Sequence, residues 1–239
     1  RRSAHETKKC LSGDHDFLTQ WLIWTPIVAA VHSTARPGRP TAGPDRQGAT
    51  SPTKTLDLEA LAHHRGSVLG GLPQDPQPTQ KAFDTQLWDA LGLLDPARPV
   101  FVESESKKIG RLQLPDSLVH RMRDHGQVLR VEMPQGARVQ LLLQEYGFFA
   151  EDVERFCGLL DGLIVLRGRE RVGEWQALAR AGAWAELFSR LMREHYDPLY
   201  LRSMDTHFTG YLQAQEVPLA DGEPDTLQAA AHQLLAAPP

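Results

Sequence analysis

The sequence predicts an α/β fold with a mainly parallel sheet, followed by a helical C-terminal part. Short apolar segments alternate with amphipathic ones from residue 56 to residue 165, as parallel βαβ units require. Mainly amphipathic segments follow. The first 55 residues show little periodicity, and four prolines between residues 32 and 55 are typical of a linker. We therefore expect three parts, namely an irregular segment at 1–55, an α/β domain at 56–165 and a helical part at 166–239.

Hydrophobic periodicity places the elements. Leu56–Glu59 alternates apolar and acidic residues, which favours a strand or a strand end. Pro99–Glu103 is an apolar run that ends in a carboxylate, as expected of a buried strand, and Val128–Met133 is a third strand. Helices are predicted for Thr79–Leu94, Pro115–Arg123, Ala137–Tyr146, Glu151–Leu160, Glu174–His195 with a break expected near Gly182, and Thr226–Ala236.

Composition argues against several classes of protein. The formal net charge of -4 and a pI near 6.2 give no global sign of a nucleic-acid binder, so RNA contact would need local basic patches. Two cysteines, Cys10 and Cys157, are too few for a disulfide framework and indicate free thiols of a reducing cytosol. The apolar run Trp21–Val31 is shorter than the roughly 20 residues of a membrane helix. We expect a cytoplasmic chain without membrane contact.

Polar side chains cluster in three stretches, at Leu56–Ser67, Gln77–Phe83 and Phe101–Arg111. Each stretch lies at the end of a predicted strand or in the loop beyond it. In open α/β sheets, ligands bind at the carboxyl ends of the strands. We therefore expect the functional site to be built from these stretches.

Together with a fourth stretch, these residues resemble a known family. The chain reads DLEALAHHRGS at 57–67, QPTQKAF at 77–83, VESESKKIG at 102–110 and HYDPLYLRS at 195–203. In this order the four stretches resemble the C-terminal domain of tRNA 2-selenouridine synthases, although no single one would suffice. The resemblance implies a P-loop NTPase-like α/β domain, which in this chain is incomplete at its N-terminal end.

The resemblance also implies a transferase that acts on tRNA. The family converts 2-thiouridine at the wobble position to 2-selenouridine through an S-geranylated intermediate. Geranyl diphosphate and selenophosphate are its co-substrates. A rhodanese-like domain with a reactive cysteine normally precedes the phosphate-loop domain, and nothing around Cys10 is similar to it. We expect tRNA as the partner and a complementing rhodanese-type domain for the selenium step.

The phosphate loop of that family departs from its pattern here. Gly48–Thr55 is the segment nearest to GxxxxGK[ST], and it keeps the first glycine, Lys54 and Thr55. Thr53 replaces the second glycine, Pro52 removes an N–H donor, and the expected helix is missing. The chain is therefore expected to be a truncated or impaired member. Two origins stay open, a coincidence in a linker or a replacement of the original start.

Two residues are candidates for catalysis, Glu103 and Arg65. Glu103 ends an apolar strand like a Walker B acid and could hold Mg²⁺ through water, or it could be a solvated strand-end carboxylate. Arg65 could contact phosphate. The full set of candidates for phosphate or diphosphate binding is Lys54, Thr55, Arg65, Ser67, Gln80, Lys81 and Arg138.

Lys107, Lys108 and Arg111 form the densest basic cluster near the expected site. They are candidates for contact with tRNA phosphates, although a short charge run is usually only a solvated face. His63 and His64 lack a third ligand, so no metal site is predicted there. A set of apolar C-terminal residues is expected in the core rather than in a prenyl pocket, namely Trp175, Leu178, Trp184, Leu187, Phe188 and Leu191.

Two other functions stay open at this point. The strand–helix pattern with an acidic strand end also suits a small-molecule kinase or NTPase with a degenerate phosphate loop. The damaged loop also suits a non-catalytic tRNA-binding remnant. ATP turnover without tRNA would favour the first, and salt-sensitive tRNA binding without turnover would favour the second.

Overall fold

The computed structural model describes residues 27–32, 55–72, 74–95 and 99–236. Lys54 and Cys10, which figure in the sequence predictions, lie outside these residues. The strands are β1 (Ile27–His32), β2 (Thr55–Leu56), β3 (Pro99–Glu103), β4 (Lys108–Ile109), β5 (Leu112–Gln113), β6 (Gly126–Glu132) and β7 (Gln215–Pro218).

Five strands form one sheet in the order β2-β3-β1-β6-β7, and β4 and β5 form a separate hairpin. β2 pairs parallel with β3, and β6 pairs parallel with β7. β1 runs antiparallel to both β3 and β6. The α/β class holds, and β2, β3, β6 and β7 point the same way, as expected of a mainly parallel sheet. The reversed strand β1 makes the sheet of the described residues mixed.

The cause of the mixed sheet is β1, which lies within the segment expected to be irregular. Residues 27–31 contain three β-branched residues among five apolar ones, a composition that favours a strand. The sequence analysis did not predict this strand, because the proline-rich stretch that follows it is typical of a linker. The prediction of an irregular segment at 1–55 is therefore wrong for Ile27–His32.

The described helices alternate with the strands and then fill the C-terminal half. They are α1 (Leu58–Ala62), α2 (Gln80–Gly92), α3 (Asp116–His125), α4 (Gln135–Glu145), α5 (Val153–Asp161), α6 (Ile164–Arg167), α7 (Arg169–Arg180), α8 (Trp184–Leu191), α9 (Asp197–His207) and α10 (Pro224–Ala236). The long predicted helix is broken between α7 and α8, where Gly182 adopts a positive φ of 70°. The break expected near Gly182 is thus confirmed.

The predicted strand Leu56–Glu59 ends early. β2 stops at Leu56, and the Asp57 side chain accepts a hydrogen bond from the Ala60 amide at 2.6 Å, which caps helix α1. Alternation of apolar and acidic residues misled the prediction, because an acidic N-cap followed by an acidic first turn gives the same short pattern as a strand.

Two hydrophobic cores hold the described residues together. The first surrounds the sheet with Phe83, Phe101 and Leu129 and also takes Leu227 from α10. The second lies among α4 to α8 and contains Trp175 among other buried side chains. The predicted boundary near residue 165 stays a prediction, because residues on both sides of it contribute to each core. None of the described helices has the length and apolar character to cross a membrane.

Candidate functional site

A cavity of about 700 Å³ lies between the two cores. Its walls come from the loop after α1, the loop after β3, the end of β6, and helices α4, α8 and α9. This volume is within the range of small-molecule sites in proteins. The carboxyl ends of β3 and β6 open into it, so it occupies the edge of the sheet where ligands are expected.

Three of the four sequence stretches meet at this cavity. Residues 65–69, 104–106 and 195–197 all line it, although they come from distant parts of the chain. The remaining stretch supports the site from outside. The Gln77 amide donates to the Ile109 carbonyl at 2.9 Å and accepts from the Arg111 amide at 2.9 Å, which fixes the β4–β5 hairpin.

Two arginines predicted to bind phosphate face this cavity. Arg65 donates to Glu145 at 2.8 Å and lies over the Tyr146 ring, with 5.0 Å between the guanidinium carbon and the ring centroid. Arg138 makes a bidentate pair with Asp197, at 2.9 and 2.7 Å. Planar guanidinium groups held in this way suit recognition of phosphate oxygens. Their roles in binding stay predictions.

A pair of glutamates forms part of the same wall. Glu59 and Glu105 are hydrogen-bonded to each other, and Glu105 is buried. Burial, then the charge and hydrogen bond of Glu105, raise the pKa of Glu59 to about 9. Burial also raises the pKa of Glu105, while its hydrogen bond to Glu59 opposes the shift. Two carboxyls in contact share a proton at neutral pH, because both cannot ionise together in a buried site.

Glu103 lies outside the cavity wall. Its carboxylate accepts the backbone N–H groups of Leu58 at 3.0 Å and Glu59 at 2.8 Å, at the first turn of α1. Burial, then the charge of Asp57, raise the pKa of Glu103 well above its ordinary value. Because both oxygens already bind the helix, these residues do not fit a magnesium site. The position of Glu103 favours a positioning role for it, and the expected catalytic role stays a prediction.

His195 is brought to the cavity by a π-helical turn, Met192–Tyr196, between α8 and α9. Such turns are rare and frequently occur at functional sites. Its Nδ1 accepts a hydrogen bond from Arg167 Nε at 3.0 Å, so the neutral ring carries its proton on Nε2. Burial and the charge of Arg167 lower the pKa of His195 to about 4. The side chain is therefore a hydrogen-bond donor at neutral pH, not a base.

An apolar surface completes the cavity. Phe188 and Leu191 belong to the second core, as expected, and also face the cavity. Four apolar side chains of the cavity lining are more than a third exposed, namely Val68, Leu166, Leu199 and Leu201. A large exposed apolar surface beside arginines suits a ligand with an apolar chain and an anionic head.

The other phosphate candidates differ in position. Ser67 lines the cavity and is hydrogen-bonded to Tyr196. Thr55 is buried in β2, away from the cavity wall. Gln80 instead fixes β5, since its side chain donates to the Gln113 carbonyl at 2.9 Å and accepts from its amide at 2.9 Å. Lys81 is exposed on α2 and does not line the cavity.

The basic cluster lies on the exposed β4–β5 hairpin. Lys107 pairs with Asp116 at 2.6 Å, and Lys108 is exposed. The Arg111 guanidinium donates to the Gln77 and Pro78 carbonyls, so part of its hydrogen-bonding capacity is used to hold that loop. Contact of this hairpin with tRNA stays a prediction.

The histidines after α1 have local partners. His63 adopts a positive φ of 50° at the end of the helix, and its Nδ1 lies 2.6 Å from Asp75. Burial lowers the pKa of His64. Among the described residues no group of three or more histidine, cysteine, aspartate or glutamate side chains is arranged to hold a metal ion.

Sequence reasoning missed four groups of this site, Glu59, Glu105, His195 and Tyr200. All four stand inside the stretches that carry the family resemblance, so the stretches themselves were the available signal. Their pairing could not be predicted, because Glu59 and Glu105 come from the start of α1 and the end of β3. Tyr200 is hydrogen-bonded to Ser104, which fixes the loop that carries Glu105.

Comparisons with known proteins point to the family that the four stretches resemble. Residues 49–158 match the family model described as the tRNA 2-selenouridine synthase AAA domain. The chain is 41% identical over 96 residues to a tRNA 2-selenouridine synthase of Nitrosomonas europaea, covering 38% of this chain and 24% of the relative. It is 34% identical over 173 residues to one of Alcanivorax borkumensis, covering 61% and 47% of the two chains. It is 31% identical over 181 residues to one of Shewanella piezotolerans, covering 63% and 48%.

No solved structure matches the chain. The chain spans at most about half the length of these curated relatives, so the comparisons concern one part of such a protein. The family match begins at residue 49, inside the segment nearest to a phosphate loop, and includes Glu59, Arg65 and Glu105. Residues 49–158 of this chain are thus similar to the tRNA 2-selenouridine synthase AAA domain family.

Proposed function

We propose that this chain contributes to 2-selenouridine synthesis on tRNA as a transferase, and that the cavity is where the wobble 2-thiouridine is S-geranylated. The single observation that carries the proposal is the convergence of residues 65–69, 104–106 and 195–197 on one cavity. Residues 65–67, 104–106 and 195–197 belong to the stretches that resemble the family, yet they are distant in sequence. Burial of a packing core would not require three polar stretches to face one open space.

The chemistry of the walls supports a prenyl diphosphate as the ligand. Arg65 and Arg138 provide guanidinium groups for the diphosphate, and Phe188, Leu191 and Leu199 provide apolar surface for the geranyl chain. Both arginines are paired with carboxylates that an anionic ligand would replace. Thr55 is buried in β2 away from the cavity wall, so phosphate contacts by Lys54 and Thr55 stay predictions from the sequence. Because their segment departs from the loop pattern, we expect transfer to be slower than in a relative with an intact loop.

The selenium step needs a further group. Selenophosphate would supply selenium to the geranylated base, and the family uses a reactive cysteine of a rhodanese-type domain for this chemistry. Cys157 does not suit that role, because it is buried and burial raises the pKa of its thiol. A complementing rhodanese-type domain is therefore the proposed partner for the exchange, and tRNA as substrate places the activity in the cytoplasm.

The kinase or NTPase alternative is weaker. It needs a strand-end carboxylate beside the phosphates to hold Mg²⁺. Glu103, the residue at that strand end, binds two helix N–H groups instead. The non-catalytic alternative predicts tRNA binding without any transfer, so one assay separates it from the proposal.

The test is prenyl transfer to tRNA. The full chain is incubated with geranyl diphosphate and tRNA that contains 2-thiouridine, and the digested nucleosides are separated by mass spectrometry. We expect S-geranyl-2-thiouridine with the wild-type chain, and at least a tenfold loss of rate with Arg138→Ala, because one charged bidentate contact contributes about 1.5–3 kcal/mol. Binding of tRNA without any geranylated product would contradict the proposal.

A further inference from the structure

We infer that Glu59 and Glu105 act as one acid–base pair that takes the proton from N3 of the 2-thiouridine ring as its sulfur is alkylated. The inference rests on the proposed function and assigns a catalytic role to two residues of the same cavity. It depends on the position of the pair in the cavity wall, on the burial of Glu105 and on the contact between the two carboxyls.

The reaction requires such a base. A sulfur lone pair attacks the first carbon of geranyl diphosphate, a C–S bond forms, and the C–O bond breaks with its electron pair leaving on diphosphate. The C2=S double bond becomes single, and the electrons of the N3–H bond form a C2=N3 double bond. One proton is released from N3, and no oxidant or reductant is involved. A group that accepts this proton within the cavity would lower the barrier.

The structure holds Glu105 tightly in place. Gly66 adopts a positive φ of 64°, and a β-carbon at this position would collide with the Glu105 carboxyl group. The Ser106 amide donates to Glu105 at 3.3 Å. On the other side, Glu103 binds the backbone amide of Glu59. These contacts fix the backbone of Glu59 and the carboxyl group of Glu105, which contributes to the preorganisation that proton transfer needs.

The other titratable groups of the cavity suit the role less well. His195 uses its one basic nitrogen to accept from Arg167. Asp197 is held by both nitrogens of the Arg138 fork. Burial raises the pKa of the Tyr146 and Tyr200 hydroxyls, which therefore stay protonated. Glu132 also lines the cavity, but its carboxylate pairs with Arg130 at 2.7 Å. The Glu59–Glu105 pair suits the role better than these side chains, because one of its carboxyls can accept a proton while the other stays protonated.

The groups that surround the pair set its charge. The charge of Asp57 raises the pKa of Glu59 and Arg65 lowers it. The charge of Glu59 in turn raises the pKa of Glu103, and Tyr146 and Tyr200 lie nearby. Because the pKa of Glu59 lies at about 9, the pair carries one proton and one negative charge at neutral pH. Glu59 then donates to Glu105, and Glu105 is the carboxylate that accepts the substrate proton.

The first experiment observes the shared proton without any substrate. The full chain is labelled with ¹³C at the glutamate carboxyl carbons, and the signals are assigned by their loss in Glu59→Gln and Glu105→Gln. We expect the Glu59 carboxyl to titrate near pH 9 in the wild type and at a lower pH in Glu105→Gln, which removes the neighbouring charge. Titration of both carboxyls in the ordinary glutamate range would overturn the pair.

The second experiment measures geranyl transfer over a range of pH. At neutral pH we expect Glu105→Gln to be slower by about 10²–10⁴-fold, and the deficit to shrink at alkaline pH, where N3 ionises without a base. Glu59→Gln keeps a hydrogen-bond donor to Glu105, so we expect its transfer rate to fall much less than that of Glu105→Gln. Glu186→Gln is the matched control, since Glu186 is exposed, pairs with Arg190 and does not line the cavity.

The outcomes separate the two claims. A wild-type chain that transfers geranyl while Glu105→Gln does so equally fast would overturn the base assignment and leave the proposed function intact. A Glu105→Gln deficit that stays constant with pH would assign Glu105 a structural role and overturn the inference. Absence of transfer by the wild type would overturn the proposed function, and the base would then have no reaction to serve.

Discussion

At the scale of single residues, the site depends on close approach of backbone to carboxyl groups. Glu103 binds the first amides of α1, and Gly66 leaves room for the Glu105 carboxyl group. The sequence predicts Arg65 and Arg138 as phosphate-binding candidates, and the structure brings both to one cavity. The glutamate pair was not predicted, since nothing in a single chain tells which carboxylates of different elements will touch.

Substitution of Gly66 tests this close approach. Gly66→Ala forces a side chain into a left-handed conformation, which costs roughly 1–2 kcal/mol, and also pushes it against Glu105. Gly210→Ala is the matched control, because Gly210 has a left-handed φ of 86° and open space around its β-carbon position. We expect a larger loss in the free energy of unfolding for Gly66→Ala than for Gly210→Ala, measured by urea denaturation. Equal losses would show that Glu105 does not need this space.

At the scale of elements, periodicity predicted the long helices well and the short elements poorly. β3 agrees with the predicted Pro99–Glu103, and α2 lies within the predicted Thr79–Leu94. Leu56–Glu59 is too short for its period to distinguish a strand from a capped helix start. The π-helical turn Met192–Tyr196 left no periodic signal, because one extra residue in a turn hardly changes an amphipathic pattern.

The β4–β5 hairpin carries the predicted tRNA contact, and salt dependence tests it. Lys107→Ala with Lys108→Ala should weaken tRNA binding and reduce the slope of log K against log salt by about 1–2, because each lysine at a phosphate releases a counterion. Arg111 is left intact, since it holds the neighbouring loop. Arg155→Ala with Arg169→Ala removes the same charge from exposed positions elsewhere. An equal slope for both double variants would contradict contact by the hairpin.

At the scale of the whole molecule, the cavity exists because two cores meet beside the sheet edge. The α/β class and the four stretches could be read from the sequence, since they depend on local composition and order. The mixed sheet could not be predicted from the sequence, because the direction of β1 is decided by its pairing with β3 and β6 and not by its own residues. The apolar wall of the cavity could not be predicted either, since Phe188 and Leu191 belong to the core and also face the cavity.

The most direct test of the central claim is to locate geranyl diphosphate on the chain by hydrogen–deuterium exchange, at a ligand concentration that saturates binding. The account predicts slower exchange of the backbone amides at 65–69, 130–133 and 191–203, segments that contain cavity-lining residues. It predicts unchanged exchange in α2 at 80–92, which contributes no residue to the lining. Protection that is centred on α2, or that is absent from all three cavity segments, would contradict the claim that this cavity is the site of prenyl transfer.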